Sequence, residues 1–238
     1  MIRGEHLTTL EMVTTTLDML SVERPLLASG EVVVGIDEVG RGALAGPLTV
    51  GAVVLTCCDA PPDTLTDSKL LTAARRAALV EPLERWAADW SLGSVSASEI
   101  DAWGLRLALA VAATRALKGL RERPTHALID GSFNLLRAPV DIGFGVAMPP
   151  ELSYRSLRAT TIVKGDQKCA SIAAASVLAK VHRDAVMTNL DSQFRDFGWA
   201  SNKGYGAASH LEALREWGPN VHHRRSWRLP ERRALKLP

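Results

Sequence analysis

Apolar and polar positions fall in blocks along this chain, and the blocks predict its elements. Glu31-Val-Val-Val-Gly-Ile36 and Leu48 to Leu55 are short apolar runs of strand length, which predicts two buried strands. The glycine-rich link between them is too short for a crossover, so they are expected to pair antiparallel. A third strand is expected over Trp90 to Val95. Ser96 and Glu99 have the spacing of a capping box, opening a helix that Gly104 interrupts. Leu105, Leu109, Ala112, Ala113, Ala116 and Leu120 then recur at helical spacing, one stripe to bury against a sheet, and Pro124 follows the end. His126 to Asp130 and Leu157 to Val163 are further strand candidates. The alanine-rich stretch from Asp166 to about Phe194 predicts a long helix, and Leu211 to Trp217 a last one. Strands come first and helices alternate later, so the fold class is α/β with a mixed sheet.

Met1 to Ser29 mixes acids with leucines and reads as an appended amphipathic helix. The body spans residues 31 to 217 as one domain, and residues 218 to 238 form a basic tail in which His222-His-Arg-Arg-Ser-Trp227, basic with an aromatic, suits either tracking a nucleic-acid backbone or a frayed end, the second slightly preferred. Composition narrows the function. There is no long uninterrupted apolar run, and no basic flank followed by an apolar stretch opens the chain, so neither a membrane span nor a secretory leader is expected. Three cysteines, two of them adjacent, with no Cys-x-x-Cys spacing, argue against disulfides and zinc and for a cytoplasmic location. A net charge of +2 is too small to hold nucleic acid by bulk charge, so any such contact must come from local patches.

The acids carry the candidate chemistry. Asp37 and Glu38 end one apolar strand and Asp130 ends another. Asp184 follows Val177 and Val181 by seven and three positions, on an apolar helix face. A buried carboxylate costs several kcal/mol unless a cation compensates it. Four such acids without clustered Cys or His point to magnesium or manganese, and two ions about 4 Å apart suit phosphodiester cleavage. Asp37 and Glu38 would face opposite ways in a regular strand, so both reach one metal site only if the backbone turns just after them, which Gly40 and Gly42 permit. The plain alternative is that Asp130 is a solvated strand end and that Asp184 pairs with Lys180, although Lys before Asp is the weaker order for such a pair.

Residues Gly35-Ile-Asp-Glu-Val-Gly-Arg-Gly-Ala-Leu-Ala-Gly-Pro47 resemble the signature of ribonuclease HII, the type 2 ribonuclease H family. Asp67-Ser-Lys-Leu70, Ile129-Asp-Gly131, Lys164-Gly-Asp166, Ala173 to Asp184 and Asn202-Lys-Gly-Tyr205 with His210 follow in the family's order. The resemblance implies a ribonuclease H-like fold, a five-stranded mixed sheet flanked by helices with a helical C-terminal extension. It implies two divalent ions, Mn2+ or Mg2+, on Asp37, Glu38, Asp130 and Asp184. The substrates it implies are RNA/DNA hybrids and single ribonucleotides embedded in duplex DNA, cut on the 5′ side to leave a 3′-hydroxyl and a 5′-phosphate. Gly40, Arg41 and Gly42 would sense the 2′-hydroxyl through backbone groups, and Tyr205 would pack on the sugar at the junction. Lys164 is the best-matched phosphate contact, with Lys69, Lys168, Lys180, Arg183 and Lys203 as further candidates. A monomer is expected. Ribonuclease HIII lacks the Gly-Arg-Gly pattern and carries a separate N-terminal domain. A non-catalytic hybrid-binding module would have lost an acid, and a small-nucleotide phosphotransferase would carry a glycine-lysine phosphate loop, absent here.

Overall fold

The computed structural model describes residues 18–137, 149 and 157–233. At its centre lies a five-stranded sheet in the order β3-β2-β1-β4-β5. β1 (Val33–Val39) and β2 (Leu48–Leu55) are antiparallel, with Asp37 opposite Gly51 and Glu38 opposite Val50. β3 (Asp89–Val95) pairs antiparallel with β2. β4 (His126–Asp130) runs parallel to β1, and β5 (Arg158–Ile162) parallel to β4. The expected mixed sheet and the antiparallel first pair are therefore present.

Every residue of β2 is buried, because helices cover both faces of the sheet. On one face lies α3 (Ala97–Gly119), whose Leu109, Ala112, Ala113 and Ala116 meet Val34, Ile36, Val50 and Ala52. Its start carries the predicted capping box of Ser96 and Glu99, and Gly104 breaks it with φ +73°. On the other face lies α4 (Ala170–Gln193), with α2 (Ala73–Trp86) beside it. The approach of α4 is unusually close. A Cβ on Gly35 would stand 2.2 Å from the Ser171 carbonyl carbon, and one on Gly51 would stand 2.4 Å from the Ala175 oxygen. Two strand glycines and an alanine-rich helix are thus one device, bringing backbone against backbone.

Three features differ from the sequence reading. α4 starts at Ala170 rather than Asp166, because Lys164 is left-handed (φ +57°) and residues 165–167 form a separate 3-10 turn. Helix α2 has no counterpart in the sequence reading; Pro82 lies within it, and it starts on a Thr72 side-chain cap. The C-terminal segment is not a frayed tail: His223 and Arg224 are fully buried, and Arg224 holds backbone carbonyls of the β1–β2 loop. Met1 to residue 17 lie outside the described residues. The rest of the expected N-terminal helix is the short α1 (Glu23–Ala28), preceded by the buried Leu20. Glu23 is itself fully buried and accepts hydrogen bonds from the Ser171 N–H (2.9 Å) and Oγ (2.8 Å). A carboxylate from α1 thereby caps the first turn of α4. α5 (Trp199–Asn202) and α6 (Ala208–Trp217) complete the fold.

Candidate active site

Strand alternation sends Val33, Gly35 and Asp37 to the α4 side of β1, and Leu128 and Asp130 to the same side of β4. Parallel pairing in register then brings the two acids together at adjacent strand ends. β1 continues in register as far as Val39, and the turn comes at Gly40 with φ +83°. Asp37, Glu38 and Asp130 line one cleft of about 390 Å³ together with Gly40, Arg41, Gly42, Ser68, Lys69, Ser176, Lys180 and Tyr205.

The acids in this cleft strain against one another. Burial raises the Asp37 carboxyl to about 7, with Glu38 and Asp130 pushing the same way against a hydrogen bond from Ser176. Burial also raises Glu38, opposed by Arg41, whose Nη1 lies 3.3 Å from Glu38 Oε1. Asp166 is buried beside them and raised by desolvation, with Asp130 adding to the shift and Lys69 opposing it at 3.2 Å. The Gly165 N–H donates to Asp130 Oδ1 at 2.7 Å, so the 165–167 turn is fixed to the end of β4. Asp67 ties the two loops together, accepting from the Lys69 N–H and from Gln167 Nε2. The Lys69 ammonium is held protonated by Asp166, Asp37 and Asp67 despite partial desolvation.

Asp184 stands apart. It is bound to Lys180 Nζ at 2.7 Å and lies 3.9 Å from Arg76 Nη2. It faces an adjoining depression with Thr188, Asn189 and Lys203 rather than the acidic cleft. The i, i+4 pair with Lys180 accounts for its place on the helix. Asp166 is the acid on which Asp130 acts, and its signal in the sequence is an acid shortly past the β5 run, in Lys164-Gly-Asp166, where Asp130 closes its own run. Among the described residues no three Asp, Glu, His or Cys side chains already form a coordination shell. The donor set nevertheless suits a hard divalent cation: oxygen donors only, mutually repelling, in a lining that also holds Lys180, Lys69 and Arg41, the last two partly offsetting the acids.

The remaining candidates divide. Tyr205 lines the cleft, 36% exposed, with the Arg183 guanidinium 5.4 Å from its ring centre. Gly42 is open: a Cβ there would meet nothing within 4 Å. Lys164 is exposed and precedes Gly165, whose N–H donates to Asp130. Lys203 Nζ is engaged by Thr188 Oγ1 and the Ala200 carbonyl. Arg183 is no phosphate contact, being fully buried and donating to the carbonyls of Pro47, Lys203 and Ala45. Ser176 and Arg224 had no signal in the sequence pattern that marked them for the site.

A mixed sheet whose adjacent central strands both end in carboxylates, under a glycine turn, is the layout of a ribonuclease H-type nuclease. The family model described as Ribonuclease HII matches residues 34–229. A Ribonuclease HII of Streptomyces avermitilis is 45% identical over 222 residues, covering 91% of this chain and 88% of that protein. The RNase HII in the structure of the PCNA:RNase HII complex from Archaeoglobus fulgidus superposes with a TM-score of 0.61 at 28% identity, covering 86% of this chain and 98% of that one. The crystal structure of Bst-RNase HIII in complex with Mn2+ shares the fold, with a TM-score of 0.60 at 19% identity over 85% of this chain and 70% of that one. This chain belongs to the ribonuclease HII family, metal-dependent hydrolases acting on RNA phosphodiester bonds.

Proposed function

We propose that the chain nicks duplex DNA on the 5′ side of single embedded ribonucleotides, and cuts the RNA strand of RNA/DNA hybrids, leaving a 3′-hydroxyl and a 5′-phosphate. The observation that carries this reading is the meeting of Asp37, Glu38 and Asp130 in one cleft beneath Gly40 to Gly42 and Tyr205. Asp37, Glu38 and Asp130, with Asp166 as the fourth acid, would hold two divalent ions, Mg2+ or Mn2+; Asp184 acts on the cleft only through Lys180. Such ions, when bound, supply an activated water and neutralise charge on the departing oxygen.

The chain's own residues do the rest. The raised carboxyl of Asp37 takes its charged form once a cation replaces the missing compensation. Backbone N–H groups of the Gly40-Arg41-Gly42 turn meet the 2′-oxygen, which DNA lacks, and the Tyr205 ring packs on the neighbouring sugar. Lys164 and Lys69 position phosphates without reading bases. The reading includes a monomer acting in the cytoplasm; among the described residues no helix is long and apolar enough to cross a membrane.

The deciding experiment uses a labelled DNA duplex with one ribonucleotide beside an all-RNA/DNA hybrid, each with Mg2+, Mn2+ or chelator. Metal-dependent nicking 5′ to the single ribonucleotide is expected. Cleavage of the long hybrid alone would overturn the embedded-ribonucleotide specificity.

A further inference from the structure

Two fully buried arginines hold the β1–β2 loop by its carbonyl oxygens. Arg224 Nη2 donates to the Gly40 carbonyl at 2.7 Å and to that of Gly46 at 3.2 Å, and Nη1 donates to the Arg41 carbonyl at 2.9 Å. The Gly40 carbonyl shares its peptide group with the Arg41 N–H, and the Arg41 carbonyl shares its with the Gly42 N–H. A trans peptide directs its N–H opposite to its carbonyl. Arg224 therefore grips, from inside, the two peptide groups whose N–H ends face away from it. Among the described residues neither of those N–H groups donates to the protein's backbone. Both residues line the acidic cleft, and Gly42 leaves the space in front of it empty.

The residue next to Arg224 reaches the other wall. His223 Nε2 lies 3.1 Å from His210 Nε2, which also accepts from Trp199 Nε1 at 3.2 Å. His210 Nε2 is thus the acceptor, its proton is on Nδ1, and Nδ1 donates to the Tyr205 carbonyl at 2.8 Å. His223 Nδ1 in turn lies 3.1 Å from the Asn220 N–H and 2.9 Å from Asn220 Oδ1, which holds the ring to its own segment. One short segment, residues 220–224, thereby sets both the glycine turn and the backbone of Tyr205.

We propose that Arg224 is a positioning residue for ribonucleotide recognition: it orients and polarises the Arg41 and Gly42 amides as donors, in fixed register with Tyr205 through His223 and His210. This rests on the assignment of the Gly40 to Gly42 turn and Tyr205 to the substrate. A carbonyl bound to a guanidinium polarises the N–H of its own peptide, and in a low-dielectric wall such bonds strengthen one another. Preorganised backbone donors of this kind act on the rate more than on binding of the duplex.

The test compares Arg224→Gln and Arg224→Lys with wild type on a duplex carrying one ribonucleotide, alongside amide proton shifts of Arg41 and Gly42. Arg224→Gln is expected to lower kcat by about 10- to 100-fold with KM within about twofold, and to move both amides upfield. Arg224→Lys, which keeps the charge but cannot bridge two carbonyls, should fall between. Should Arg224→Gln fail to fold, the lysine variant decides on the same readouts. Wild-type kcat, unchanged amide shifts, or a loss confined to KM would overturn the proposal. Tyr205→Ala separates this from the reading beneath it. If that variant loses kcat while the Arg224 variants do not, the inference alone fails; if it cuts like wild type, the substrate assignment has failed.

Discussion

Asp37 answers two opposed demands, and its titration shows both. Its carboxyl sits at about 7 rather than 3.8, first because it is buried and then because Glu38 and Asp130 face it. Between those values the folded, metal-free protein keeps a proton that the unfolded chain has lost. Stability present below about pH 4 is therefore lost as pH rises towards 7, by about 1.4 kcal/mol per pH unit for one proton. Asp37→Asn should flatten this slope in chelator, raising the melting temperature at pH 7 while reducing cleavage at least about a thousandfold. A variant that cuts at near-normal rate with matched metal would remove Asp37 from the reaction. The fourth acid is decided the same way. Asp166→Asn should weaken metal-dependent cleavage by about 100-fold, and Asp184→Asn by about tenfold or less, since Asp184 is held by Lys180 outside the acidic cleft. Metal titrations of the two variants read the difference, and the opposite ranking would restore Asp184. Sequence spacing set Asp184 on an apolar face of α4 but could not place it relative to the ends of β1 and β4, whereas Lys180 one turn back lies 2.7 Å from it.

At the level of elements, the sheet and its covering helices were legible because local signals agreed. The capping box at Ser96, the break at Gly104 and the stripe from Leu105 to Leu120 all point to one helix, and it forms as read. Helix α2 was not legible. Its residues are charged on most sides, Pro82 interrupts its pattern, and only Leu79 and Leu83 are buried from it, so tertiary contact with α4 rather than periodicity keeps it in place. The start of α4 escaped for another reason: Glu23, more than a hundred residues away in sequence, supplies its cap. The same helix gives a sharp test of packing. With Gly51 only 2.4 Å short of the Ala175 oxygen at its Cβ position, Gly51→Ala must push α4 off the sheet or bend β2. A loss of about 3 kcal/mol or more is expected in denaturant unfolding, with cleavage falling further because Ser176 on α4 and Asp37 move apart. An alanine variant of wild-type stability would mean that α4 lies farther out than described.

On the scale of the whole molecule, the site is closed by residues that come last in the chain. The acids were legible because carboxylates at the ends of apolar runs are costly and conspicuous. The buried His223 and Arg224 were not, because two histidines and two arginines in a basic stretch read as solvent-loving until the fold sets the His223 ring against Phe197 and Trp199 and buries Arg224 over Trp227. That burial has a measurable consequence. Desolvation, then the neighbouring His210, His222 and Arg225, holds His223 down to about 3, and burial lowers His210 as well. A histidine that stays neutral when folded but is protonated when unfolded adds stability that is complete above pH 6.5 and lost as pH falls towards 3. The slope is about 1.4 kcal/mol per pH unit for each such histidine. Asp37 tilts the curve the other way between pH 4 and 7, so the two effects mask each other in the metal-free wild type. The Asp37→Asn background removes one opposing slope, and adding His223→Gln there should make the decline from pH 6 to 4 shallower, at the expense of lower stability at neutral pH. If the double variant declines as steeply as the single one, the acid sensitivity lies elsewhere and the C-terminal segment is not the pH-dependent clasp between the glycine turn and Tyr205.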